Sequence, residues 1–180
     1  MLKAIDIANF FIDLAIHDPN DAMTNMRVNK LVYFAQGHSL ARNREPLFNE
    51  KIEAWDYGPV TRSVYDAFKP CGNNKIEYVS GDYSSTLFSI EQMELLLDVM
   101  REYGQYSTSK LVDLSHSQDS PWERVFKPHE DNEISQKSMQ EYFSKYPLKH
   151  FQLPDVSADD CVGYTGEDGL TVLPAEYDYA

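Results

Sequence analysis

The chain opens on an almost unbroken apolar segment. Over residues 4–17 only Asp6, Asn9, Asp13 and His17 interrupt it, all on one stripe of a helical wheel. So narrow a polar stripe predicts a largely buried helix, ended by Asp18-Pro19-Asn20 because proline disfavours helix before itself. The stretch Asn25–Lys69 then organises the rest. Val28, Leu31, Val32 and Ala35, with a second row at Leu31, Phe34 and Ala41, recur at helical spacing. Thr24 is the expected N-cap and Pro46 the latest possible end. Ile52–Tyr57 alternates as a short strand. Gly58-Pro59 breaks the chain, because glycine relaxes φ and proline fixes it, and a second helix follows with Val60, Val64, Ala67 and Phe68 inward.

Further along, Pro70–Asn74 is a loop by composition, and Lys75–Ser80 alternates well enough to pair with Ile52–Tyr57 as a small sheet. Gly81–Thr86 is a polar loop. Ser89-Ile90-Glu91-Gln92 fits a capping box and starts a helix with Ile90, Met93, Leu96, Leu97, Met100 and Tyr103 on one face, ended at Gly104. Ser109–Ser115 reads as a short helix with Leu111 and Leu114 inward. Ser120-Pro121-Trp122-Glu123 combines a serine cap, proline at the first helical position and glutamate three residues on, which predicts another helix start. Pro128–Glu133 is a polar loop. Ile134, Ser135 and Met139 suit a staple around an N-cap, opening a final helix with Met139, Tyr142, Phe143 and Tyr146 that Pro147 stops.

The sum is a mainly helical α+β fold: a compact helical domain over 1–150 with a small two- or three-stranded sheet. From about Phe151 the composition shifts, with seven acidic residues and no Lys or Arg, so 151–180 is expected to be an acidic C-terminal tail, flexible or partly ordered. Length and composition agree with one domain plus a tail: 180 residues, 42% apolar and 13% aromatic. A net charge of −13 repels phosphate backbones, which disfavours broad nucleic-acid binding. Cys71 and Cys161 are far apart and form no CxxC, so they read as reduced thiols and the chain as cytoplasmic. The N-terminus is not a secretory h-region, and no apolar run approaches the roughly 18 residues of a membrane span.

Candidate chemistry is thin. His38 and His116 are able to meet in a fold, with Asp119 orienting His116, but the ligand spacings of a metal site are absent. Ser115-His116-Ser117 has no nucleophile elbow around it. No phosphate-binding glycine pattern is present, so neither metal nor cofactor is expected. An enzyme centred on His116 is the weakest reading. The bland one makes His116 a structural residue that holds its turn against Trp122. The aromatics are more informative. Trp55 and Tyr57 fall with Glu53 on one face of the strand, opposite Ile52 and Ala54. Tyr65 and Phe68 follow on the next helix.

Three ordered motifs carry a resemblance. They are KLVYFAQG at Lys30–Gly37, PLF at Pro46–Phe48 running into IEAWDYGPV at Ile52–Val60, and LSHSQDSPW at Leu114–Trp122. Together, over roughly residues 2 to 145, they resemble the Panacea-domain, or SocA-like, family of bacterial and phage proteins. The resemblance implies an antitoxin, not an enzyme, that binds and neutralises a cognate toxin protein in a toxin–antitoxin system. The alternative it implies is an adaptor that delivers a toxin to an ATP-dependent protease. On that implication the candidate partner contacts are Trp55, Tyr57, Glu53, Val60, Arg62 and Tyr65. Gly58, Pro59, His116, Pro121 and Trp122 are then expected to maintain the scaffold.

Overall fold

The computed structural model describes residues 2–16, 22–150, 164–165 and 171–172. The chain divides into two compact units, Met1–His150 and Phe151–Ala180. In the first unit the helices are α1 (Ala4–Ile16), α2 (Asn25–Asn43), α3 (Arg62–Phe68), α4 (Ile90–Tyr103), α5 (Thr108–Ser115) and α6 (Gln136–Phe143). Strands β1 (Ile52–Trp55), β2 (Gly58–Thr61) and β3 (Asn132–Glu133) form an antiparallel sheet in the order β2-β1-β3. This is a mainly helical α+β architecture. In the second unit, β4 (Tyr164–Thr165) pairs antiparallel with β5 (Thr171–Val172). Nearly all of the expected acidic tail, Cys161, and the segment His17–Asn20 lie outside the described residues.

The organising element is α2, which packs against α1, α3, α4, α5, α6 and β2. It is buried on all sides from Arg27 to Leu40. A helix in that position would ordinarily be apolar all round, yet this one buries Asn25, Arg27, Asn29, Lys30, Gln36, His38 and Ser39. The contradiction is resolved by hydrogen bonds, since buried polar groups are tolerated when they are paired. Gln36 donates from Nε2 to Phe48 O (2.8 Å) and accepts from Leu47 N (2.8 Å), fastening the Pro46–Phe48 segment to the helix. Asn29 Oδ1 accepts from Thr61 N at 3.1 Å, and Asn25 donates to Tyr65 O at 3.0 Å. Lys30 donates to Pro59 O at 3.0 Å. The Arg27 guanidinium donates to the carbonyls of Gly104 and Tyr106, just past the C-terminal end of α4. The polar side chains of α2 thus secure the backbone of its neighbours.

The expected helix starts at Thr24, Ser89 and Ser135 hold. Thr24, Ser89, Ser107 and Ser135 are the N-caps of α2, α4, α5 and α6, each accepting a backbone N–H, and Ser89 and Gln92 close a reciprocal capping box. Several other expectations are corrected. Gly58-Pro59 is not the turn. The turn is Asp56-Tyr57, and Gly58 and Pro59 begin β2, with Trp55 opposite Gly58 and Ile52 opposite Thr61. Proline is admissible there because β2 is an edge strand. Lys75–Ser80 does not join the sheet, because β2 and β3 occupy both edges of β1. That segment is held at its ends instead, Ile76 N donating to Met23 O (2.8 Å), while Ser80 N donates to Asn9 Oδ1 (2.9 Å) and Asn9 Nδ2 donates back to Ser80 O (2.8 Å). The polar loop at Pro128–Glu133 supplies β3.

Ser120 caps Glu123 N at 3.1 Å, but only turns follow. Pro128 biases Lys127 away from helix, and Trp122 stacks on Phe126 with ring centroids 4.3 Å apart. The buried arc of α4 is Leu95, Leu96, Asp98 and Val99. Leu97 is 42% exposed and Ile90 72%. The apolar arc is wider than its contact, and the inward Asp98, bonded to Arg42 at 2.8 Å, sets which edge is covered. Helix α6 ends at Phe143, leaving Tyr146 exposed beyond it.

Candidate functional site

The three motif segments converge on Gly58. Its φ is +99°, and a Cβ there would lie 2.8 Å from Lys30 Cε, 2.8 Å from Ser115 Oγ and 3.1 Å from His116 Nε2. Helix α2, the β1–β2 hairpin and the end of α5 therefore meet at a point where only glycine fits. Beside it His116 stacks on Trp122 with centroids 3.6 Å apart and planes inclined by 14°, and Trp122 Nε1 donates to Trp55 O at 2.8 Å. Pro121 is buried next to them.

His38 and His116 have different neighbourhoods. His38 bonds Tyr103 Oη at 2.8 Å and packs edge-on to Phe143. Burial, then the nearby Arg42, push its pKa down to about 3, so it is neutral through the physiological range. Burial also lowers the pKa of His116, and the positive charge of Lys30 lowers it further. His116 Nε2 is buried and has no hydrogen-bond partner among the described residues. Asp119 does not orient His116: His116 Nε2 has no hydrogen-bond partner among the described residues, and the carboxylate whose charge acts on the ring is that of Asp113. The Ser115 hydroxyl donates to Val112 O in its own helix at 2.8 Å, so no hydrogen bond joins a nucleophile to the imidazole. Among the described residues no group of His, Cys, Asp or Glu side chains is arranged to hold a metal ion.

On the other side of the hairpin the aromatic residues form a shelf. Ile52 and Ala54 are buried, whereas Trp55 is half-buried and Tyr57 is 69% exposed. Trp55 meets Tyr65 edge to face at 4.8 Å and lies under the Arg62 guanidinium at 5.1 Å. Its indole N–H donates to Glu53 at 2.9 Å. Arg62 also bridges Glu53 (2.8 Å) and Asp131 (2.9 Å). Val60 is buried at the base of this shelf. The six candidate contacts are therefore brought together.

The shelf forms one wall of a cleft of about 420 Å³, also lined by Asn25, Met26, Asn29, Lys30, Lys69 and the turn His129–Asp131. Lys30, on the cleft lining, is 1% exposed. Burial lowers its pKa from 10.5 to about 7. Sequence reasoning identified Lys30 as a motif residue but missed it as part of a cavity. The available signal was its position: Tyr33, Phe34 and Gly37 follow at helical spacing, so this lysine lies on an apolar face. The contribution of His129–Asp131, some 70 residues beyond the hairpin, had no local signal.

The model of the antitoxin SocA-like, Panacea domain family matches residues 28–123, a span that contains all three motif segments. Antitoxin SocA of Caulobacter vibrioides (strain NA1000 / CB15N) is 33% identical over 130 residues, which make up 66% of this chain and 68% of that protein. No solved structure matches the chain. No helix among the described residues is long and apolar enough to cross a membrane.

Proposed function

The chain belongs to the antitoxin SocA-like, Panacea domain family, and from that premise we propose that it binds a cognate toxin protein and neutralises it in the cytoplasm of a bacterial or phage-infected cell. The contact surface is the shelf of Trp55, Tyr57 and Tyr65 with Glu53, Val60 and Arg62. The observation that carries this is the anatomy of the shelf. A tryptophan is held by its neighbours without being covered, beside an exposed tyrosine and a rim of paired charges. Interfaces are built this way: aromatic residues with a polar tip, rigid before binding, surrounded by charge. The role is one of binding, without chemistry on the partner. His116 Nε2 makes no hydrogen bond to a nucleophile among the described residues, and His116 does not belong to the shelf.

The test is co-expression and pull-down with the product of the neighbouring reading frame, followed by titration of the purified pair. Trp55→Ala is expected to weaken binding about 30-fold or more, equivalent to roughly 2 kcal/mol, at an unchanged melting temperature. Unchanged affinity in a folded Trp55→Ala protein would sink the proposed surface. Toxin lifetime in cells with and without their ATP-dependent proteases distinguishes two modes. Protection that persists without the protease is neutralisation by occupation, and protection lost with it is delivery for degradation.

A further inference from the structure

Lys30 is an anomaly that the partner surface does not use. An ammonium has three N–H donors, and among the described residues the one hydrogen bond of Lys30 Nζ goes to Pro59 O. Among the described residues no carboxylate lies within ion-pair distance of it. The amides beside it are committed elsewhere, Asn29 to Thr61 N and Asn25 to Tyr65 O. A cation buried without a counter-charge is costly, and an apolar side chain of similar length would suit a purely structural position better. Yet this lysine lines a cleft large enough for a small organic molecule.

We propose that the cleft binds an organic monocarboxylate carried on an apolar body, with Lys30 as counter-ion to the carboxylate and Met26, Trp55 and Tyr65 enclosing the body. The walls set the apolar part, since Trp55, Tyr57, Tyr65 and Met26 line the space. Of the two lysines in the lining only Lys30 is buried, whereas Lys69 is exposed with its Nζ 5.7 Å from the centre of the Tyr65 ring, so the enclosed part of the cleft suits a single negative charge. The acidic groups of the lining, Asp56, Glu130 and Asp131, oppose a doubly charged phosphate. The site goes beyond the toxin-binding reading and does not depend on it, because it is tested on the chain alone.

The pH behaviour follows from the charge on Lys30. Burial holds its pKa near 7 in the empty protein. Other charged groups surround Lys30: His116, at the end of α5 and itself near Asp113, lies close enough to it for their charges to interact, and Lys69, His129, Asp56, Glu130 and Asp131 are on the cleft lining. A carboxylate binds the protonated amine, so binding takes up a proton above pH 7 and weakens as pH rises.

The experiment is calorimetric titration of the full chain with phenylacetate, indole-3-acetate and N-acetylphenylalanine, each paired with its neutral amide, from pH 6 to pH 9. An acid is expected to bind at least tenfold tighter than its amide at pH 6. Its affinity is expected to fall about tenfold per pH unit above pH 7, while that of the amide stays flat. Lys30→Met is expected to erase the difference between acid and amide. If that variant does not fold, the pH series on the unaltered chain carries the same information. Tighter binding of the free acids than of N-acetylphenylalanine identifies a small-molecule source, and the reverse order identifies a polypeptide C-terminus. Both orders support the carboxylate site. Equal affinity for acid and amide, no binding of any probe at millimolar concentration, or a folded Lys30→Met chain that still prefers the acids overturns it.

Discussion

Gly58 is the residue on which the motif segments depend. It combines a φ of +99° with neighbours on three elements. A side chain there meets two separate costs: backbone strain at positive φ, and displacement of Lys30 and Ser115. Gly58→Val is expected to destabilise the protein by at least about 1 kcal/mol from the backbone alone, read as a lower urea midpoint at unchanged slope. An unmoved midpoint would mean that the hairpin relaxes freely and that the crowding carries no weight. Part of this was legible in the sequence, because a Gly-Pro pair between aromatic segments marks a special backbone position. The crowding was not, because Ser115 and His116 arrive from more than fifty residues away.

At the scale of elements, α2 and α6 meet through another glycine. A Cβ on Gly37 would lie 2.2 Å from the Phe143 ring, which packs against the helix where Gly37 leaves room. The same ring contacts Tyr33, Phe34 and His38 edge-on. Overpacking a filled core of this kind costs about 1–3 kcal/mol. Gly37→Ala is expected to lower stability by that amount, and Phe143→Leu in the same chain should recover part of the loss. A double-mutant cycle by urea unfolding measures the coupling. Strict additivity would show that the two residues do not compete for the same space. The helix starts at Thr24, Ser89 and Ser135 were readable in advance because caps depend on neighbours within one turn, although the same kind of signal at Ser120 opened only turns. The orientation of α4 was not. Its apolar residues cover more of the helix than α2 can contact, so Ile90 and Leu97 remain outside.

At the scale of the whole molecule, every described buried residue of the core lies between Ala4 and Phe143. That places the described core inside the unit Met1–His150. A chain cut after His150 is therefore expected to fold, with a melting temperature within about 4 °C of the full chain, a change equivalent to roughly 1 kcal/mol for a domain of this size. Scanning calorimetry of the two forms checks it. A broad, non-cooperative transition in the shortened chain would show that residues 151–180 complete the fold.

What the sequence determined by itself about this protein was whatever short-range physics controls. Serine and threonine caps set the starts of α2, α4 and α6, and alternation set the buried and outward faces of β1. The order of the three motifs was enough to identify the family. Tertiary structure alone decided the sheet partners, because hydrogen-bonding edges on β1 can be filled by any extended segment that geometry delivers. They went to Gly58–Thr61 and Asn132–Glu133 rather than to the better-patterned Lys75–Ser80. It also decided that the polar residues of α2 face inward. Hydropathy assigns an isolated Asn, Lys or Gln to water, and only the carbonyl and amide groups of distant segments, brought within about 3 Å, make the interior a favourable place for them.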